Sequence, residues 1–446
     1  MTQAAPSTAE IQASAMPYTR KGNSATAATP LAKPIVLESR MQAGRVDVSD
    51  IAGLDPVALR EELVRRAAAL RPMLDRNSLA TQANRRVVEE NIEAVRAAGL
   101  LKITVPKRYG GLETNMRTFI DVGRELGKGC GSTAWVTTLM NVCAWFVGYG
   151  SKQMQDDIWG ENPESRAAGV FAPSATSVAV EGGFRVTGKW AWASGSLHSD
   201  WAFVGIPIVD AEGNQIDQGF ATIPMSDVTI EDTWFVVGMQ GTGSNTIVAD
   251  DVFIPHHRVA SVPALIEGNP ATPFKDEALY RSAFIPVAAL ALVGPQLGLA
   301  ARALEYVLEK AKTRGVSYTF YDRQMDSASF QLAMAEAASL LDTAHLFAYR
   351  AAEDIDNAAR EGRKMTYLER ARVRMDVGKS VTAARDTIDT LISAHGAGSF
   401  AEGSLMQRLW RDCETASRHA VISPGISAEV YGKALLGIEG DVTALV

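Results

Sequence analysis

Three stretches of this chain carry residue types that can do chemistry. The first runs from Gly188 to Gly205, GKWAWASGSLHSDWAFVG, and sets Trp190, Trp192 and Trp201 beside the small residues Ala193, Ser194 and Gly195. A planar heteroaromatic ligand wants both features: apolar rings to stack on, and a small polar edge where backbone can approach. The residues alone favour a plainer reading, a tryptophan-rich sheet core with a Ser-Gly bulge. The second stretch, Gly241-Thr242-Gly243-Ser244, forms a turn that offers N–H and hydroxyl donors to a phosphate or a ring edge. Most such turns are only turns. The third runs from His395 to Ala420, where Ser404 is a fair cap for a helix with Leu405, Leu409, Asp412, Ala416 and His419 on one face. His419 is then either a buried base or a C-terminal cap, and the cap is the simpler role.

The other reactive side chains are less suggestive. The six histidines include no HxH or HxxxH pair, which argues against a metal site. His256 and His257, in IPHHR, read as a solvated turn. The three cysteines, Cys130, Cys143 and Cys413, are far apart and form no CxxC, as expected for reduced thiols in the cytoplasm. A net charge of −7 argues against nucleic-acid or anionic-membrane partners. No stretch approaches the roughly 20 uninterrupted apolar residues of a bilayer span.

The elements that must position these residues fall into blocks. Residues 1–52, rich in Ala, Ser, Thr and Pro, read as a mobile tail and match neither a secretory signal nor a transit peptide. Residues 53–163 read as a helical domain. It opens with Asp-Pro at Asp55, continues in a second helix from about Leu79 to Ala98, and resumes over Met116–Leu126 and from Ser132, as N-cap, toward Tyr149. Residues 164–262 hold short glycine-punctuated runs rich in β-branched and aromatic residues, enough for a small barrel or sandwich. Residues 270–446 return to the helical period in four segments, Tyr280–Arg314, Ser327–Glu361, Tyr367–His395 and Ser404–His419. Segregated helix and strand blocks predict an α+β fold with separate layers.

Together, VPKRYGGL, GSTAWV, WASG, VVGMQGTGSNT, DVFIP, QRLWRD and SRHA resemble the acyl-CoA dehydrogenase superfamily. The nearer resemblance is to its two-component (group D) flavin-dependent monooxygenases. That branch holds the oxygenase component of 4-hydroxyphenylacetate 3-hydroxylase and the 3-hydroxy-9,10-secoandrosta-triene-dione hydroxylase. The resemblance runs from about Leu100 to the C-terminus and implies helical, β-barrel or sandwich, and four-helix-bundle domains in that order. It implies that a separate flavin reductase supplies reduced FMN or FAD, which reacts with O2 to a C4a-(hydro)peroxyflavin that hydroxylates an aromatic or heteroaromatic small molecule. A dry pocket and a hydrogen bond at the flavin N5 then guard against loss of hydrogen peroxide. Ser194 matches the serine near N5, and Trp135 an aromatic residue beside the ring. Trp192, Gly195, Thr242, Gly243 and Ser244 belong to the matching cofactor segments. Arg314 matches an arginine near the cofactor, reaching toward a neighbouring subunit's flavin phosphate in a homotetramer. His419 takes the place of a catalytic histidine, as general base or as controller of the peroxide proton. His198 is expected only to make a structural hydrogen bond.

Two alternatives remain on the same fold: an acyl-CoA dehydrogenase-type FAD oxidoreductase, and an N- or S-oxygenase. Against the first, Arg411-Asp412 is followed by CETASRHAV rather than a YEGT segment, and Glu414 comes too early by more than a helical turn. The phenol hydroxylases carry a histidine and a serine run where this chain has Cys143 and Ala168-Gly169-Val170. Cys143, Gly169 and His419 are therefore expected to line a substrate pocket that has lost two hydrogen-bonding partners for a phenol.

Overall fold

The computed structural model describes residues 33–35 and 44–446. Most of the expected tail lies outside them. Its described parts include a short strand, β1 (Pro34–Ile35), and a helical turn at Ser49–Ala52 that buries Ile51.

The first helix, α1 (Pro56–Ala83), starts where Asp55 accepts hydrogen bonds from the N–H groups of Val57 and Ala58 at 2.9 and 3.1 Å. Pro56 occupies the first turn, where its missing N–H costs nothing. The sequence reading placed a second helix from Leu79. Instead the buried stripe Leu59, Leu63, Ala67 continues through Leu74 and Ser78, so α1 runs past Pro72 and stops only at Ala83. Arg85 then takes φ +48° before α2 (Glu89–Ala97). Next come α3 (Met116–Gly129), α4 (Gly131–Tyr149) and α5 (Lys152–Trp159). Cys130, not Ser132, stands at the cap position of α4. Every residue of α4 except Leu139 is buried, as befits a helix enclosed by other layers.

The strands β2 (Ala167–Val170), β3 (Ala175–Val180), β4 (Gly183–Ala193), β5 (Trp201–Val209), β6 (Gln215–Pro224), β7 (Thr229–Glu231), β8 (Asn245–Pro255) and β9 (Val259–Ser261) follow. They form two sheets, ordered β1-β7-β8-β4-β3 and β2-β5-β6-β9, antiparallel except for the parallel β2–β5 pair. Side-chain alternation builds the sandwich core: Val186 and Trp190 from one sheet meet Ala202, Val204 and Ile206 from the other. Phe203, on the opposite face of β5, stacks against Phe146 of α4 with ring centroids 5.4 Å apart. That contact ties the sheet to the helices.

The C-terminal block contains α6 (Phe284–Leu290), α7 (Val293–Lys310), α8 (Ala328–Arg360), α9 (Tyr367–His395), α10 (Leu405–Ala416) and α11 (Pro424–Leu435). The expected Tyr280–Arg314 helix is thus two helices, and α11 has no counterpart in the sequence reading. The span Phe284–Lys310 is long and apolar enough for a bilayer, yet its apolar window is entirely buried in the protein. It is a core segment, and glycine lets α3 press against it. A Cβ on Gly298 would stand 2.2 Å from the Arg124 carbonyl oxygen.

Candidate active site

At the end of β4 the pairing with β8 shifts register between Trp190 and Ala193. Trp192 sits in this bulge at φ +74°, a left-handed conformation that a bulky side chain rarely adopts. The three tryptophans of the segment therefore part company. Trp190 is wholly buried, and its indole N–H donates to the Gly205 carbonyl at 2.8 Å. Trp201 is half-buried, with the Arg258 guanidinium 5.0 Å from its ring centre. Trp192 alone is presented outward, 68% exposed, edge-on to Trp234 at 5.3 Å. The plain reading of a tryptophan core holds for Trp190, while Trp192 stands outside that core.

The Gly241–Ser244 turn lies directly beneath. Its Thr242 carbonyl accepts from the Gly195 N–H at 3.3 Å, and Asn245 pairs with Ala193. Three buried hydroxyls are strung between the two loops: Ser194 Oγ lies 2.6 Å from Ser244 Oγ, which lies 2.6 Å from Thr242 Oγ1. Thr242 Oγ1 donates to the Met239 carbonyl at 2.9 Å. At the other end the Trp135 indole N–H of α4 donates to Ser194 Oγ at 3.3 Å.

Helix α10 locks onto the same loop. Asp412 accepts the Met239 N–H at 2.6 Å, and Arg411 donates to the Val237 carbonyl and, at 3.2 Å, to Gln82 Oε1 of α1. Gly238 permits this contact, since a Cβ there would stand 2.0 Å from the Arg411 carbonyl oxygen. Burial pushes the Asp412 carboxyl up to about 6. The sequence reading placed Asp412 on a helix face but gave it no part in the site. An acid on the inward face of an amphipathic helix was the signal.

His419 follows α10 and does not cap it. Its Nδ1 accepts the Val421 N–H at 3.4 Å, opening a short helical turn over Ala420–Ile422. The ring lies 6.1 Å from that of Trp135. The side chain is exposed, and the protein mass around it lowers its pKa from the ordinary 6.5. Near neutral pH the imidazole is uncharged, and with Nδ1 accepting, its proton sits on Nε2. Trp135 thus joins Ser194 on one side to His419 on the other. Further along α4, Val136 and Met140 pack on Gly195, and a Cβ on Gly169 would stand 3.2 Å from Cys143 Sγ. The two expected wall residues are neighbours. Burial raises the Cys143 thiol to about 12, which makes it an apolar surface and not a nucleophile.

Other expectations resolve away from this cluster. Arg314 donates to His395 Nε2 at 2.7 Å, at the far end of α9, and touches none of the clustered hydroxyls. His198 is buried against the Glu89 carboxylate, 3.3 Å from Nδ1. His256 and His257 do form a turn, but His257 is tied to Asp157 at 2.8 Å and His256 packs on Phe184, so the turn is docked. Glu414 pairs with Arg418 and faces Arg385 at 3.9 Å, so the one glutamate near the site in sequence is engaged elsewhere. The three cysteines are unpaired and buried.

The chain is similar to known proteins in sequence and fold. Residues 59–159 match the acyl-CoA dehydrogenase N-terminal domain, and residues 290–424 match the acyl-CoA dehydrogenase C-terminal domain. The oxygenase subunit HsaA of a flavin-dependent monooxygenase from Mycobacterium tuberculosis is 31% identical over 83% of this chain and 94% of its own length. The oxygenase component of p-hydroxyphenylacetate 3-hydroxylase from Acinetobacter baumannii is 30% identical over 83% of this chain and 88% of its own. The structure of XiaF from a Streptomyces species, in complex with FADH2 and glycerol, superposes with a TM-score of 0.83 at 36% identity, covering 86% of this chain and 97% of that one. The chain belongs to the oxygenase components of the flavin-dependent monooxygenases, oxidoreductases of the acyl-CoA dehydrogenase fold that use O2 with reduced flavin.

Proposed function

We propose that the chain hydroxylates an aromatic or heteroaromatic small molecule at the Ser194–Trp135–His419 cluster, using reduced flavin supplied by a separate reductase. One observation carries this reading: a single helix face, that of α4, joins a hydroxyl cluster, an indole and a neutral imidazole that keeps accessible surface. The residues present suit a flavin. Trp192 offers an unburied ring, Ser194 Oγ retains an acceptor lone pair, and the Gly195 and Gly243 backbones at φ +80° and +55° bring main chain close. Bound there, reduced flavin supplies the activation of O2. The protein's share is to accept a flavin N–H at Ser194 Oγ, to cover the ring with Trp135 and Trp192, and to keep water away with Val136 and Met140.

His419 is better placed to give a hydrogen bond than to take a proton. Its Nδ1 is occupied by the Val421 N–H, and the protein packed around the ring lowers its pKa, so near neutral pH it carries one proton, on Nε2. Its Nε2–H would hold a substrate oxygen or the oxygen being transferred. Cys143 and Gly169 give the substrate an apolar wall, which favours an indole-like ring over a phenol that needs two partners for its hydroxyl. Two relatives above 30% identity, a FADH2-dependent resorcinol hydroxylase oxygenase component and the XiaF complex, have FADH2 in their descriptions, which supports FADH2 over reduced FMN.

Exposed apolar side chains support assembly into a homotetramer, with Arg314 near a neighbour's cofactor. Leu332 and Leu346 of α8 are 73% and 71% exposed, and Tyr318 and Phe320 beyond Arg314 are fully exposed. Three buried unpaired thiols suit a reducing cytoplasm. The test is a substrate panel of indoles and phenols under reductase-driven turnover, scored as product formed per flavin oxidised. Tight coupling with indole-type rings and weak coupling with simple phenols is expected. The reverse order would overturn the substrate assignment.

A further inference from the structure

The hydroxyl chain behind Ser194 has a direction, and the direction decides what Ser194 can offer a ligand. Each hydroxyl carries one proton. Thr242 Oγ1 lies 2.9 Å from the Met239 carbonyl oxygen, which can only accept, so the Thr242 proton is committed there. Ser244, 2.6 Å away, then donates to Thr242, and Ser194, 2.6 Å from Ser244, donates to Ser244. The Trp135 indole adds a further donor aimed at Ser194 Oγ. Reversing the chain would leave the Thr242 and Met239 oxygens 2.9 Å apart with no proton between them, in a buried setting. The Met239 carbonyl cannot turn away. The Thr242 N–H and the Trp234 indole N–H also donate to it at 3.1 Å each, and Asp412 holds the Met239 N–H at 2.6 Å.

We infer that Thr242 and Ser244, anchored on the Met239 carbonyl, are positioning residues that keep Ser194 a hydrogen-bond acceptor and so make the site select dihydroflavin over oxidised flavin. The inference rests on the flavin reading proposed above. N5 of reduced flavin carries a proton and can donate to the remaining lone pair of Ser194 Oγ. N5 of oxidised flavin carries only a lone pair and meets another lone pair. Selectivity for the redox state thus originates behind Ser194, in two hydroxyls whose protons are committed toward the Met239 carbonyl.

The experiment is a pair of equilibrium titrations of the full chain, with oxidised FAD in air and with photoreduced FAD under argon, read as the ratio of the two dissociation constants. Thr242→Val and Ser244→Ala each free a hydroxyl proton to turn toward the ligand. Each should lower the ratio of oxidised to reduced Kd by about threefold to tenfold, the worth of one hydrogen bond. Thr242→Ser keeps the anchor and should keep the ratio. A merely structural role would weaken both forms alike and leave the ratio unchanged, which would overturn the inference. Ser244→Ala decides the matter alone if Thr242→Val does not fold. Ser194→Ala separates the two levels. If it collapses the ratio while Thr242→Val and Ser244→Ala do not, only the chain's direction is wrong. If it changes neither affinity, the flavin placement itself fails.

Discussion

Ser194 and His419 flank the Trp135 indole, and each has a task that a single substitution isolates. Ser194→Ala removes the acceptor for a flavin N–H, so hydrogen peroxide released per reduced flavin consumed should rise, measured by peroxide assay during turnover. His419→Ala should leave flavin affinity intact and lower coupled hydroxylation by about tenfold, the loss of one hydrogen bond to the reacting oxygen. Taken alone, the residues favour a sheet core for the Ser194 segment and a helix cap for His419; only the family resemblance raises both to candidates. The protonation of His419 is not legible in the sequence. Its tautomer depends on the Val421 N–H, and its low pKa on surrounding protein mass, neither of which a linear pattern records. Likewise Trp190, Trp192 and Trp201 look alike in sequence. A one-residue shift of register sends one into the core and leaves another outward.

The contact between α10 and the Met239 loop holds the site together. Gly238→Ala would force a Cβ onto the Arg411 carbonyl oxygen, so the loop must move. A loss of ~1–3 kcal/mol in stability, by denaturant titration, and weaker flavin binding are expected. A second element, the end of α9, makes the fold acid-sensitive. His395 is buried, accepts from Arg314, and has Lys310 nearby, so its pKa falls to about 4 from an ordinary 6.5. Between those values the unfolded chain binds a proton that the folded chain refuses. The His395 contribution is therefore complete above pH 6.5 and is lost as pH falls toward 4, at up to about 1.4 kcal/mol per pH unit. His395→Gln should flatten the dependence of Tm on pH over that window, and an unchanged slope would contradict this. Helix caps were readable at Asp55 and Ser404, whose side chains accept backbone N–H groups as expected. The ends of α1 and α4 were not. The α1 end is set by a buried stripe that outlasts Pro72, and α4 starts at Cys130 with no side-chain cap.

At the scale of the molecule, helices, sandwich and bundle follow one another as composition predicts, because strand and helix periods differ along the chain. What the sequence concealed was how α4 threads between them. A helix buried all round has no amphipathic stripe to reveal its facing partners, yet this helix carries Trp135, Val136, Met140 and Cys143 toward the sheet and the candidate site. The exposed leucines of α8 predict a tetramer by light scattering at micromolar concentration; a monomer would contradict that assembly. The most direct test of all is a single turnover. The full chain is loaded anaerobically with FADH2 and an indole-type substrate, then mixed with 18O2, and the product is weighed by mass spectrometry. One 18O atom per product molecule, formed in wild type and sharply reduced in His419→Ala, is predicted. Stoichiometric hydrogen peroxide with no labelled product across the substrate panel would contradict an oxygenase site at this cluster.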